Sequence, residues 1–128
     1  AGIAGLLEGL RYVNNLGVEN IAAQEAGLIR SMGKGLRAIS GVTAFQAEDP
    51  AVQSGVLSFC VKGRDCEEVG EALGGRGIAL RAGLHCAPLA HETVGTLETG
   101  ALRASVSAFN TEREIGQFLR TLGEIAGA

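Results

Sequence analysis

The chain has 128 residues, and 11 Lys plus Arg against 14 Asp plus Glu leave a formal charge of −3. That length fits one domain, and that charge argues against a basic groove for nucleic acid or anionic lipid. A hydrophobic content of 46% suffices for a core and excludes disorder, while no apolar run approaches the ~18 residues of a membrane span.

The first predicted element is an amphipathic helix from Ala1 to Asn15, with Ile3, Leu6, Leu7, Leu10 and Val13 three and four residues apart. Asn14, Asn15 and Gly17 end it, because both residue types accept left-handed backbone. The chain enters this pattern without an initiator Met, as a piece of a longer polypeptide would. A longer helix follows from Val18 to Ile39, weakened by Gly27, Gly33 and Gly35 at about 1 kcal/mol each relative to Ala, so it relies on packing. Val42–Gln46 reads as a short strand, Glu48-Asp49-Pro50 as a turn, and Gly55–Val61 as a nearly continuous apolar strand.

Asp65 with Glu68 starts a capped helix that stops at Gly74-Gly75. Gly77–Arg81 reads as a third strand, and Gly83–Gly100 as an irregular loop with one helical turn over Leu89–Val94. Leu102, Ala104, Val106 and Ala108 alternate with Arg103, Ser105, Ser107 and Phe109, the pattern of a half-buried strand. Thr111-x-x-Glu114 caps a last helix carrying Ile115, Phe118, Leu119, Leu122 and Ile125. The order ααββαββα predicts an α+β two-layer sandwich, a small sheet covered by helices.

Chemistry concentrates between Arg81 and Thr93, where both histidines and one cysteine fall within seven residues. Cys86 lies between Gly83 and Pro88, hence in a loop. Beside Arg81 and His85 its thiol gains thiolate character, which nucleophilic attack requires; a passive half-buried thiol is the alternative. Zinc on His85, Cys86 and His91 is a third reading, against which stand the strain of an adjacent His-Cys chelate and the lack of a fourth ligand. Cys60 in its strand and Cys66 after its cap read as packing or surface residues. Three cysteines without a C-x-x-C repeat fit a reducing compartment, the cytoplasm. Arg103, beside Ser105 and Ser107, has the shape for bidentate carboxylate binding, with a surface arginine or an internal salt bridge as alternatives.

The run Arg81-Ala-Gly-Leu-His85-Cys86-Ala-Pro, then Gly95-Thr96, Leu102-Arg103-Ala-Ser105 and Phe109-Asn110-Thr111, resembles the C-terminal region of the cysteine desulfurases. These are pyridoxal-phosphate (PLP) enzymes of the class V aminotransferase group, and the likeness extends over nearly the whole chain, including Gly2–Leu6 and Gly17–Ile21. The resemblance implies the small domain of a fold type I PLP enzyme. It implies that Cys86 attacks the sulfur of PLP-bound L-cysteine to leave a persulfide and alanine, that Arg103 grips the substrate carboxylate, and that His85 is a loop neighbour available for proton transfer. It further implies a homodimer at full length and a sulfur-acceptor protein feeding iron-sulfur or thio-cofactor assembly. Ala82 and Leu84 depart from the Ser/Thr and His common at those positions.

Residues 1–40 are expected to pack on a PLP-binding domain and link it to a small domain of residues 41–128. The chain's two lysines, Lys34 and Lys62, lack the Ser/His-rich context of a cofactor lysine, so these residues alone are expected to be inactive. Selenocysteine lyase, another class V reaction, and a non-catalytic sulfur-carrying module remain as alternatives.

Overall fold

A computed structural model describes residues 2–127; Ala1, where the first helix was expected to begin, lies outside the described residues. In chain order the elements are α1 (Gly2–Leu16), α2 (Val18–Ala38), β1 (Val42–Phe45), a 3-10 turn (Pro50–Val52), β2 (Val56–Val61), α3 (Cys66–Gly74), β3 (Arg81–Gly83), α4 (Pro88–Val94), β4 (Ala101–Ser105) and α5 (Glu112–Ala126). The four strands form one antiparallel sheet in the order β1-β2-β4-β3. This is the expected α+β sandwich with one helix more than the sequence order counted.

The sheet has two unlike faces, and β2 shows why. Leu57, Phe59 and Val61 are buried while Val56, Ser58 and Cys60 are not, because successive side chains point to opposite sides. The first set joins Leu102 and Ala104 of β4 in a core closed by Leu36 of α2, Leu73 of α3 and Leu122 of α5. Phe59 and Phe118 pack there as tilted rings 5.8 Å apart, and full burial of each such side chain contributes about 1.5–3 kcal/mol. Cys60 therefore stands on the outer face, half-buried, with its thiol donating to the Gly100 carbonyl at 3.5 Å. Cys66, the first residue of α3, is buried and belongs to the core.

Local chemistry fixes the ends of the elements. Asp65 accepts from the backbone of Glu67 and Glu68 at the start of α3. Thr111 and Glu114 bond reciprocally in a full capping box at α5, which satisfies two otherwise orphaned donors.

Two strands differ from expectation. The third begins at Arg81 instead of Gly77, because Gly77 (φ 79°) and Ile78 are still tied to the end of α3 by bonds to Gly74 and Leu73. β4 stops at Ser105 rather than running to Phe109: Asn110 Oδ1 accepts from the Ser107 backbone at 2.9 Å and folds the chain into a turn. Phe109 then stacks on Tyr12, ring centroids 5.2 Å apart.

α2 enters the core from Leu28 onward, whereas α1 buries no residue. The α1 stripe of Ile3, Leu6, Leu7 and Leu10 is exposed, Ile3 to 88%. An apolar stripe of that length on a surface helix is a face made for packing.

Candidate active site

The site is on the outer face of the sheet, where β3 and β4 meet the Cys86 turn. Leu84 and Ala87 close this turn, the Ala87 N–H donating to the Leu84 carbonyl at 2.9 Å. Its central residues, His85 (φ 53°) and Cys86 (φ 58°), are the two non-glycine residues with positive φ among those described. Paired positive φ angles make a mirror-image turn that usually recruits Gly, Asn or Asp. For His and Cys the left-handed region costs about 1–2 kcal/mol each, so surrounding contacts must hold them there. The result is an exposed Cys86 thiol at the tip, a position open to an incoming sulfur.

His85 is one of those contacts. Its Nε2 lies 3.0 Å from the Ala101 carbonyl, and a carbonyl can only accept, so Nε2 carries the proton and Nδ1 of the neutral ring keeps its lone pair. Burial holds the imidazole below its usual pKa, the Ala101 bond partly opposes this, and Arg103, His91 and Arg81 push it further down. The ring is thus a neutral proton acceptor at physiological pH.

Arg103 stands two residues beyond Ala101 on the same strand face, about 7 Å along the strand. It is half-buried, and in the ladder it lies between Ser58 of β2 and Arg81 of β3. Its Nε is buried without a hydrogen-bond partner. The two ion pairs among the described residues, Arg11–Glu8 and Arg76–Glu124, involve neither Arg103 nor Arg81. The internal salt bridge weighed for Arg103 does not form there. A buried donor without a partner costs about 1–3 kcal/mol, and like charges directly opposed across a ladder add to that. A ligand carboxylate at the half-buried guanidinium offsets the opposed charge, its two oxygens matching the guanidinium fork. Beside Ser58 a cleft of about 260 Å³ opens between the sheet and α4, bordered by Phe45, Ser58, His91, Thr96 and Ala101.

The structure therefore places Arg103 near enough to His85 to act on its ring, with exposed Cys86 next to His85 in the turn, and leaves Cys66 in the core. Burial raises the pKa of the Cys66 thiol, and burial followed by the charge of Cys66 raises that of Cys60. Both stay protonated and unreactive at neutral pH. The zinc set is not assembled: among the described residues no group of three His, Cys, Asp or Glu is placed to hold a metal. Sequence reasoning missed the Arg81–Arg103 pairing and the His91–Thr96 bond; the two histidines six residues apart were the available signal for the latter.

The fold family implies PLP. It requires an enclosed lysine for its aldehyde, with room for phosphate and ring. Lys34 and Lys62 are both exposed, and the groups whose charge acts on His85 are Arg103, His91 and Arg81, with no lysine among them. The site as built by this chain does not fit the anchoring of PLP.

Residues 1–118 match the family model described as aminotransferase class-V. The chain is 43% identical over 126 residues to a probable cysteine desulfurase of Mycolicibacterium paratuberculosis, covering 98% of this chain and 18% of that protein. It superposes on a cysteine desulfurase structure from Thermococcus onnurineus with a TM-score of 0.90 at 30% identity, covering 96% of this chain and 30% of that one. A C-DES variant with glycine covalently linked to its PLP cofactor superposes with a TM-score of 0.71 at 25% identity, covering 94% of this chain and 28% of that one. The chain thus spans less than a third of the length of each of these three proteins.

Proposed function

This chain belongs to the class V aminotransferases, and from that premise we propose that it is the sulfur-accepting small domain of a cysteine desulfurase. The observation that carries the reading is the outer-face arrangement: an exposed cysteine on a left-handed turn, a neutral histidine beside it, and an arginine whose buried Nε has no protein partner.

Arg103 binds the α-carboxylate of L-cysteine and so fixes which way the amino acid lies. The Cys86 thiolate attacks the substrate sulfur; the carbon–sulfur bond breaks, a sulfur–sulfur bond forms, and the carbon takes up a proton. L-cysteine plus the Cys86 thiol thereby give L-alanine plus the Cys86 persulfide, with atoms balanced. His85 Nδ1 is the group that takes the thiol proton. PLP, when held by the longer polypeptide, supplies the electron sink that bond cleavage needs. Residues 1–40 connect to that larger part, the exposed α1 stripe being the surface that packs on it, and residues 41–128 carry the cysteine turn.

The persulfide passes to an acceptor protein for iron-sulfur or thio-cofactor assembly, and the full-length protein acts as a cytoplasmic homodimer, where free thiols persist. One observation favours a narrower reading for these 128 residues alone: with both lysines exposed, the piece accepts sulfane sulfur on Cys86 from an external persulfide donor, which leaves as its thiol, and generates no alanine.

The test is alanine release from L-cysteine, with PLP and reductant, by the longest native polypeptide containing this sequence. Wild type releases alanine and Cys86→Ser does not. Equal release by the variant, or none by a wild type that has bound PLP, overturns the reading. Selenocysteine as competing substrate separates a desulfurase from a selenocysteine lyase.

A further inference from the structure

Two polar side chains are buried among the described residues, His91 and Thr96, each only 7% exposed. Polar groups at that depth are retained with a partner, and these two partner each other: His91 Nδ1 lies 2.8 Å from Thr96 Oγ1. The sequence builds this contact locally. Gly95, at φ 73°, ends α4 in a left-handed cap, and the Thr96 N–H returns to the His91 carbonyl at 2.8 Å. That closing pattern turns the chain back on the last turn of α4, which brings the Thr96 hydroxyl onto the His91 ring.

From there the contacts lead to the reactive turn. The Thr96 carbonyl accepts from the Gly100 N–H at 2.8 Å, Gly100 precedes Ala101, and the Ala101 carbonyl holds His85 Nε2. The ring closes through space, because the His91 and His85 imidazoles pack with centroids 5.9 Å apart. Everything between Cys86 and Ala101 is thus tied behind a turn whose two central residues sit in left-handed backbone that their side chains disfavour.

We infer that His91, locked by Thr96, is a positioning residue that holds His85 and the left-handed Cys86 turn in the geometry for sulfur attack. His91 touches no reacting atom in this account. It acts through the His85 ring, which rests on it and takes its tautomer from the Ala101 bond. The inference rests on the proposed desulfurase reading for its consequence in turnover, and on geometry alone for its consequence at His85.

Two measurements keep these apart. The first uses this chain, labelled with nitrogen-15 in histidine, and reads the ring nitrogens of His85. Wild type shows the Nε2–H tautomer. Thr96→Val, which keeps the shape and removes the hydroxyl, gives mixed tautomers and changes the alkylation rate of Cys86; Thr96→Ser restores both. His91→Asn, which retains a bonding group for Thr96 and removes the ring, also mixes the tautomers. Unchanged His85 signals and Cys86 alkylation in Thr96→Val and His91→Asn, with the fold intact by circular dichroism, overturn the inference.

The second uses the longest native polypeptide loaded with PLP. Misplacement of the attacking group lowers kcat about ten- to hundred-fold and leaves KM within about two-fold, since Arg103 still binds the carboxylate. A Thr96→Val enzyme with unchanged kcat, or with a loss wholly in KM, also overturns it. A wild type that shows the His85 signature but releases no alanine refutes the desulfurase reading and leaves the positioning result standing.

Discussion

The Arg103→Met substitution keeps the length and apolar stem of the side chain and removes the guanidinium. In this fold the guanidinium has its Nε buried without a partner and faces Arg81 across the ladder. An unsatisfied buried donor costs about 1–3 kcal/mol, and an opposed like charge up to about 1 kcal/mol. Arg103 is half-buried and water screens part of both costs, so the substitution stabilises the chain by about 1–2 kcal/mol. For a chain of this size that raises Tm by roughly 4–7 °C. Substrate use moves the opposite way. Two charge-assisted hydrogen bonds to a carboxylate, at about 1.5–3 kcal/mol each, are lost together, so kcat/KM for L-cysteine in the PLP-loaded polypeptide falls about 10²–10⁴-fold. Thermal unfolding of the chain and initial rates of alanine release measure the two halves. A Tm lowered by several degrees shows that the guanidinium has an internal partner, and an unchanged kcat/KM shows that it binds no substrate; either result refutes the reasoning.

Four further outcomes follow from the same geometry. His85 has a lowered folded pKa, so the unfolded chain takes up its proton first; stability falls as pH drops below about 6.5 until the folded pKa is passed. Chemical unfolding of wild type and His85→Asn across that range tests this, the variant lacking that component. Iodoacetamide near neutral pH modifies Cys86 first, with Cys60 slower and Cys66 only on unfolding, as peptide mass mapping will show; equal rates contradict the burial argument. Gly100→Ala destabilises the chain by about 1–3 kcal/mol, because Gly100 has φ 64° and an added Cβ would lie 2.9 Å from the Cys66 sulfur and 3.0 Å from Gly83 Cα; urea unfolding at an unchanged midpoint counts against it. The isolated chain self-associates through its exposed α1 stripe, and Leu6→Glu with Leu10→Glu abolishes this in sedimentation without lowering Tm by more than about 2 °C, since α1 buries nothing; a wild-type chain that stays monomeric at high concentration contradicts it.

What the sequence made legible were features that depend on nearby residues. Asp65 and the Thr111–Glu114 pair announce their helices, and the α5 stripe announces its buried face, because caps and periodicity act within a few residues. The β3 boundary was hidden because Gly77 serves the end of α3 rather than the start of a strand. The end of β4 was hidden because Val106 and Ala108 continue the alternation while Asn110, a turn former, captures Ser107 from beyond it. Which face of β2 carries Cys60 was hidden because apolar residues on both sides of the strand mask its period of two.

The candidate site divides in the same way. Cys86, His85 and Arg103 were legible as residue types in a pattern. The left-handed turn was not, since His and Cys are poor markers of positive φ and are held there by contacts with Ala101 and Leu84–Ala87. The partnerless state of Arg103 was equally invisible, as it depends on which acids fail to reach it across the sheet.

The central claim is that Cys86 receives the sulfur, and the most direct measurement is the mass of the Cys86 peptide after one turnover with L-cysteine. The PLP-loaded polypeptide is quenched with an alkylating agent and digested without reductant. The Cys86 peptide is expected to be heavier by one sulfur atom, in amount equal to the alanine released, with the Cys60 and Cys66 peptides unchanged. Alanine formed while the extra sulfur appears on another cysteine, or on none, contradicts it.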